Sequence, residues 1–274
     1  MSAALPLGAH TFGMMWDTTA PEAVRRLGDL GFTRFELIAS PPHLDLADAS
    51  HEQSVAMRAA LEATGGEILA LDLPGNDINL GSPSPEMRAF TLGLYRAAVD
   101  RAAEFGAPWV VVLAGRRHGL LPPPDGRLVE GFEREMDRLA PYAEKRGVRL
   151  LLEIHPQTLL PGAAALSGYV ERAGHPNLDI LYDVPNAIAA GEDPCAGLLR
   201  CRDHLAMVHL SDAPRGDWKH DPIGSGDVDF EAVHRQLAVI DFRGPVVLEV
   251  IAADAARRLA DGRDRLAAAG WSFM

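Results

Sequence analysis

Four ionisable residues each close a short apolar run in the second half of the sequence. Glu153 follows Leu150-Leu151-Leu152, Asp183 follows Ile180-Leu181-Tyr182, His209 follows Ala206-Met207-Val208, and Glu249 follows Val246-Val247-Leu248. One such residue alone is equally well explained by a buried ion pair or a cap. Four that converge would repel one another unless a cation sat among them, because unpaired like charges are very costly to bury. A mixed oxygen and nitrogen donor set suits manganese, magnesium, cobalt or zinc, and the lack of thiolates argues against a structural zinc. One divalent ion, manganese foremost, is the expected cofactor.

Such convergence needs a scaffold that brings the ends of separate apolar runs to one rim. The sequence alternates between short runs rich in β-branched residues and longer stretches with apolar positions at three- and four-residue steps, the pattern of repeated strand-helix units. Eight candidate strands emerge: Leu7 to Phe12, Arg34 to Ala39, Glu67 to Leu71, Trp109 to Ala114, Arg149 to Ile154, Leu178 to Asp183, Leu205 to Leu210, and Pro245 to Ile251. The clearest helices span Pro21 to Leu30, Pro85 to Phe105, Leu128 to Arg146 and Asp254 to Ala269. Pro21 and Pro85 suit a first helical turn, which does not need their missing N–H. Gly31, Gly106 and Gly147 follow three helix ends, where a left-handed residue is wanted. Val110 to Leu113 and Leu150 to Leu152 are apolar on both faces, as parallel strands between a barrel interior and outer helices must be. The expected fold is a single parallel (β/α)8 TIM barrel over residues 1–274, with its working residues at the C-terminal strand ends. An open doubly wound sheet is the rival, disfavoured because no Gly-rich phosphate turn follows the first strand.

The composition bounds the partners. At 274 residues the chain is long enough for one large core, and Leu121-Pro122-Pro123-Pro124 reads as a stiff loop before a helix rather than a domain boundary. A formal charge of −12 weakens attraction to phosphate backbones, so nucleic acid is not an expected partner. No apolar run approaches the length of a membrane span and the N-terminus lacks the basic start of a secretory signal, so a cytoplasmic location is expected. Cys195 and Cys201 lie six positions apart in a helical segment with no second pair to complete a thiolate site, and are read as reduced and structural.

The motifs also carry a resemblance. Leu152-Glu153-Ile154-His155-Pro156, Tyr182-Asp183-Val184-Pro185-Asn186, Val208-His209-Leu210-Ser211-Asp212, Ile223-Gly224-Ser225-Gly226-Asp227 and Leu248-Glu249 resemble, in order and spacing, the sugar phosphate isomerase and epimerase superfamily. These are the xylose-isomerase-like barrels, which include tagatose 3-epimerases, hydroxypyruvate isomerases, inosose dehydratases and endonuclease IV. The resemblance implies that Glu153, Asp183, His209 and Glu249 hold the metal, and that Glu153 and Glu249 also move protons on opposite faces of the substrate. Such roles make physical sense, since a metal chelating a carbonyl and a neighbouring hydroxyl acidifies the C–H between them, and flanking carboxylates can remove and return that proton. It further implies a substrate-contacting arginine at Arg215, and relatives of this kind often pair through barrel faces, so a homo-oligomer is expected.

Other residues are candidates for holding substrate. His155 lies two positions beyond Glu153 and so faces the same side of the strand. His10, Glu36 and Asp72 stand at or near the ends of the first three strands, and Trp16 follows in the first loop, where side chains line or support a barrel mouth. Two departures from the tagatose-type pattern alter the grip on substrate: Asn186 stands where those epimerases carry a histidine, and Leu159 where they carry an acidic residue. The segment Lys219 to Gly226 resembles the endonuclease IV stretch that supplies an Asp-x-His pair to extra zinc ions. There His220 is present but Trp218 replaces the aspartate, and with the acidic charge this sets the nuclease aside and leaves His220, like Asn186, a candidate substrate contact.

The reading is a metal-dependent isomerase or epimerase of a small keto sugar, polyol-derived ketone or hydroxy-carbonyl compound, acting through an enediolate with Glu153 and Glu249 as acid and base. The alternative on the same scaffold is a dehydratase of the inosose or dehydroshikimate type, which would expel a β-hydroxyl instead of reprotonating carbon. A non-catalytic sugar-binding barrel is a further alternative.

Overall fold

The computed structural model describes residues 4–47, 51–117, 120 and 124–274; Leu121, Pro122 and Pro123 of the expected stiff loop lie outside the described residues. Eight parallel strands pair in sequence order and close: β1 (Leu7–His10), β2 (Arg34–Ile38), β3 (Glu67–Asp72), β4 (Trp109–Leu113), β5 (Arg149–Glu153), β6 (Leu178–Asp183), β7 (Leu205–Leu210) and β8 (Val246–Leu248). The helices that return the chain between them are α1 (Ala20–Asp29), α2 (His51–Thr64), α3 (Pro85–Phe105), α4 (Asp125–Glu144), α5 (Ala163–Ala173), α6 (Val184–Ala189), α7 (Pro194–Cys201), α8 (Phe230–Val239) and α9 (Ala255–Ala268). The expected TIM barrel is the observed fold, and Gly31, Gly106 and Gly147 all adopt positive φ where their helices stop.

The largest departure from the expected strand bounds is β8, which spans Val246–Leu248 rather than Pro245 to Ile251. Its backbone partners change at that point. Glu249 N–H still donates to Leu210 O at 3.1 Å, but Ile251 N–H donates to His220 O at 2.8 Å, in the loop between β7 and α8. The strand therefore ends by pairing with a loop that crosses the barrel mouth.

Strand alternation positions the site. Leu151, Leu181, Met207 and Val247 are buried in a small inner cluster, separate from the larger core between sheet and helices. Two residues beyond each, on the same face of its strand, stand Glu153, Asp183, His209 and Glu249. The same step from Gly8 and Ala70 leads to His10 and Asp72. Below this polar layer the interior is filled: a Cβ on Gly8 would lie 2.9 Å from Leu69 Cδ1 and 3.1 Å from Val247 Cγ2. Parallel register then levels the polar ends, with Asp183 opposite His209 and Leu210 opposite Leu248.

Both cysteines are unpaired in α7, with Cys201 buried and its thiol pushed up to about 12 by burial. Among the described residues no helix is long and apolar enough to cross a membrane.

Candidate metal centre

Glu153, Asp183, His209 and Glu249 are all buried, and each offers a donor atom that lies within 4.8 Å of the others. The four expected ligands are thus brought together at one rim. Asp183 shows why the group suits a cation. Its Oδ1 caps α6 by accepting the Asn186 N–H at 2.6 Å, while the buried Oδ2 has no hydrogen-bond partner. A buried carboxylate oxygen without a donor is costly unless a positive centre faces it.

His209 is held from behind. Its Nε2 donates to Glu36 Oε2 at 2.8 Å, which leaves Nδ1 turned towards Glu249 Oε2 at 3.1 Å and Asp183 Oδ2 at 3.6 Å. This is the arrangement in which an outer carboxylate fixes the imidazole tautomer and raises its basicity as a ligand. His220 adds a second ring beside the cluster, with Nδ1 at 3.3 Å from Glu249 Oε2 and 3.1 Å from Ser211 Oγ.

Burial and mutual charge shift the protonation of the cluster. Burial pushes Glu153 well above the ordinary carboxylate range, and the charges of Glu249, Asp72 and Asp183 push in the same direction. Burial also acts to raise Glu249, but the His220 charge and the hydrogen bond and charge of His209 hold it well below. For His209, burial acts to lower the imidazole, yet the Glu36 charge, the nearby Asp183 carboxylate and the hydrogen bonds to Glu249 and Glu36 raise it well above its usual value. A cation entering the site therefore competes with protons whose hold on Glu153 and His209 is strengthened. Rising pH removes those competing protons, so metal affinity is expected to increase with pH and binding to release at least about one proton per ion. Calorimetric titration with manganese in buffers of different ionisation enthalpy checks this; an observed heat independent of buffer would contradict it.

Glu153 and Glu249 form part of the wall of a cavity of about 550 Å³, lined also by Phe12, Met15, Trp16, Asp72, His155, Asn186, Trp218, Lys219 and His220. His155 accepts the Gln157 N–H on Nδ1 at 3.2 Å, leaving Nε2 as the donor of the neutral ring. Burial, then the charges of Arg116 and His220, pull its imidazole down to about 4, so it stays neutral at physiological pH. Trp16 is 73% exposed at the mouth.

Two expected substrate contacts are not at the cavity. Arg215 is exposed and lines a separate cleft with Cys195, Asp227 and Asp229. Its own N–H is tied to Asp227 Oδ2 at 3.0 Å, which sets that turn of the loop outward, and Lys219 is the cation that reaches the cavity instead. His10 is fully enclosed behind the wall, with Nε2 at 3.5 Å from Asp72 Oδ2 and 3.6 Å from Glu36 Oε1, too long for good hydrogen bonds. Its Nδ1 accepts the Phe12 N–H at 2.9 Å, so the ring supports the layer beneath the site. Leu159 is buried, with its Cδ1 against Gly81 and Gly115.

Sequence reasoning passed over Lys219, Phe12, Met15 and Asp221 as lining residues. The available signal was their adjacency to His220 and His10. It also treated Asp212 only as part of a motif. The structure makes Asp212 the tie of the loop between β7 and α8: its Oδ2 accepts from Gly224 N–H at 2.8 Å, and its Oδ1 from Ala213 and Val228 N–H at 3.0 and 3.1 Å. Gly226 is required there, since a Cβ would come within 2.6 Å of the Ala213 carbonyl.

Comparison with known proteins agrees with this architecture. The chain is 28% identical over 283 residues to the L-ribulose-5-phosphate 3-epimerase UlaE of Salmonella paratyphi C, covering 98% of each. A D-tagatose 3-epimerase-like protein superposes with a TM-score of 0.84 at 20% identity, covering 96% of this chain and 98% of that one. The 3-keto-D-glucoside 4-epimerase YcjR from E. coli, in its apo form, superposes with a TM-score of 0.80 at 21% identity, over 96% and 99%. The model of the xylose isomerase-like TIM barrel matches residues 24–269, which takes in every strand from β2 to β8 and all four clustered donors. With a match of that extent, the chain belongs to the xylose isomerase-like TIM barrel family.

Proposed function

We propose that the protein is a divalent-metal-dependent epimerase or isomerase of a small keto sugar or related hydroxy-carbonyl compound. The observation that carries the reading is the meeting of Glu153, Asp183, His209 and Glu249 from the ends of four successive strands, with Glu153 and Glu249 open to the cavity. The relatives named above are called epimerases, and the curated one aligns over nearly its whole length. Three carboxylates with one imidazole favour manganese or magnesium over zinc. A homo-oligomeric assembly goes with the reading through the family resemblance, and a cytoplasmic location is proposed with it.

Glu153, Asp183, His209 and Glu249 would hold the ion. When bound, it supplies a Lewis acid that acidifies the C–H between a carbonyl and a neighbouring hydroxyl. Of Glu153 and Glu249, the one that is ionised removes that proton from its face of the substrate carbon, and the one that is protonated delivers a proton to the opposite face. The centre thereby inverts, and the two exchange protonation states in each turnover. His155 offers Nε2–H to a substrate oxygen, while Phe12, Met15, Trp16 and Trp218 cover the cavity and limit water.

The charge of the lining bears on the substrate. Among the described residues that line the cavity, Lys219 is accompanied by Asp72, Asp77, Glu153, Asp221 and Glu249. Lys219 itself lies 3.6 Å from Asp217 Oδ2, and nearby Arg116 is engaged by Asn76 O and the Gln157 side chain. A phosphate dianion would add charge to an acidic enclosure, so uncharged ketoses are the proposed substrates.

Incubating manganese-loaded protein in heavy water with ketopentoses, ketohexoses and their phosphates tests both statements. Deuterium is expected at carbon in the substrate and its epimer, with kcat/KM for a free ketose at least about ten-fold above that for its phosphate. An unsaturated product would signal a lyase, and no reaction would remove the enzymatic reading. A preference for the phosphates would remove the argument from charge.

A further inference from the structure

Trp218 and Asn186 are linked to Glu153 in a single line of hydrogen bonds. The indole Nε1–H donates to Asn186 Oδ1 at 2.7 Å, and Asn186 Nδ2 donates to Glu153 Oε1 at 3.0 Å. The order of donors is dictated by chemistry. An indole N–H donates only, so the amide must offer it the oxygen, and the amide nitrogen is then the group that faces Glu153. Asn186 is 1% exposed, and its backbone N–H is held by Asp183 Oδ1 at 2.6 Å. Neither its main chain nor its amide is free to turn.

Glu153 therefore receives one fixed donor on Oε1, which sets the carboxylate plane and leaves Oε2 without a hydrogen bond among the described residues. Trp218 is 37% exposed and belongs to the loop between β7 and α8, where its ring packs edge-on to His155 with centroids 4.7 Å apart. The seating of that loop is thereby coupled to a carboxylate on β5.

We propose that Trp218, acting through Asn186, is a positioning residue for the Glu153 carboxylate in proton transfer. This rests on the proposed reading, in which Glu153 and Glu249 serve opposite faces of the substrate carbon. Loss of the indole N–H frees the Asn186 amide to turn its oxygen towards Glu153, and the carboxylate loses its aim.

The test uses the manganese-loaded full chain and the pair of epimeric ketoses it interconverts fastest, for example D-fructose and D-psicose. Trp218→Phe keeps the ring against His155 but removes the donor. Epimerisation in both directions, and deuterium entry into the epimer whose proton Glu153 removes, are expected to fall about ten-fold or more. Deuterium entry into the other epimer should stay within about two-fold, with metal content unchanged. Asn186→Leu should show the same asymmetry, and adding Trp218→Phe to it should cost nothing further, since the indole acts through the amide. Equal slowing of exchange into both epimers, no slowing, or additive effects would overturn the proposal. If the parent protein exchanges no deuterium into any ketose, the enzymatic reading fails and this inference falls with it.

Discussion

His209→Ala is expected to abolish metal binding and turnover together. The imidazole is enclosed, with Nε2 on Glu36 and Nδ1 facing Glu249 and Asp183. Its removal takes away a proposed ligand and leaves three buried carboxylates without their shared positive partner. Breaking a buried pair by deleting one member costs about 3–5 kcal/mol, so the variant should also melt lower than the parent. Elemental analysis of purified protein is expected to fall from about one ion per chain to a trace, and chelator should lower the melting temperature of the parent but not of the variant. Full metal content in His209→Ala would mean that the cluster is not the site.

Glu153→Gln separates proton transfer from the hold on the ion. Glutamine keeps the length of the side chain and an oxygen for Asn186 Nδ2, but it neither takes a proton nor brings a charge. At saturating metal, kcat is expected to fall about 10²- to 10⁴-fold, the range for removing a general acid or base. Glu249→Gln should do the same while slowing deuterium exchange into the opposite epimer. A Glu153→Gln enzyme that retained kcat within about ten-fold at full metal occupancy would show that another group moves the proton.

The two experiments probe features of different legibility. The meeting of the four candidate donors was readable because each follows an inward-facing apolar residue by two positions, and that alternation is a property of the strand alone. The place of His155 at the cavity was readable by the same rule, as Glu153 plus two. Arg215 was not. It was placed by resemblance on a loop, and the loop's course is set by Asp212, which binds backbone groups up to 16 residues ahead, and by Asp227, which holds Arg215 N–H. His10 follows the strand rule and points inward, but it ends behind Asp72 because its Nδ1 is taken by Phe12 N–H as the chain bends into the turn at Phe12–Met14.

Local periodicity thus carried the barrel, the helix stops and the identity of the inward polar residues, because strand pleat, helix pitch and glycine at positive φ act over a few residues. The tertiary structure decided which of those polar groups meet and which loop side chains reach the cavity. Glu36 bonds His209 across 173 positions, and Trp218 fixes Asn186 across 32, contacts that exist only once the sheet has closed and the last loop has crossed its mouth. Hydrogen bonds between buried polar groups depend on ångström-scale placement of distant backbones, and no pattern of residue types along the chain encodes that distance directly.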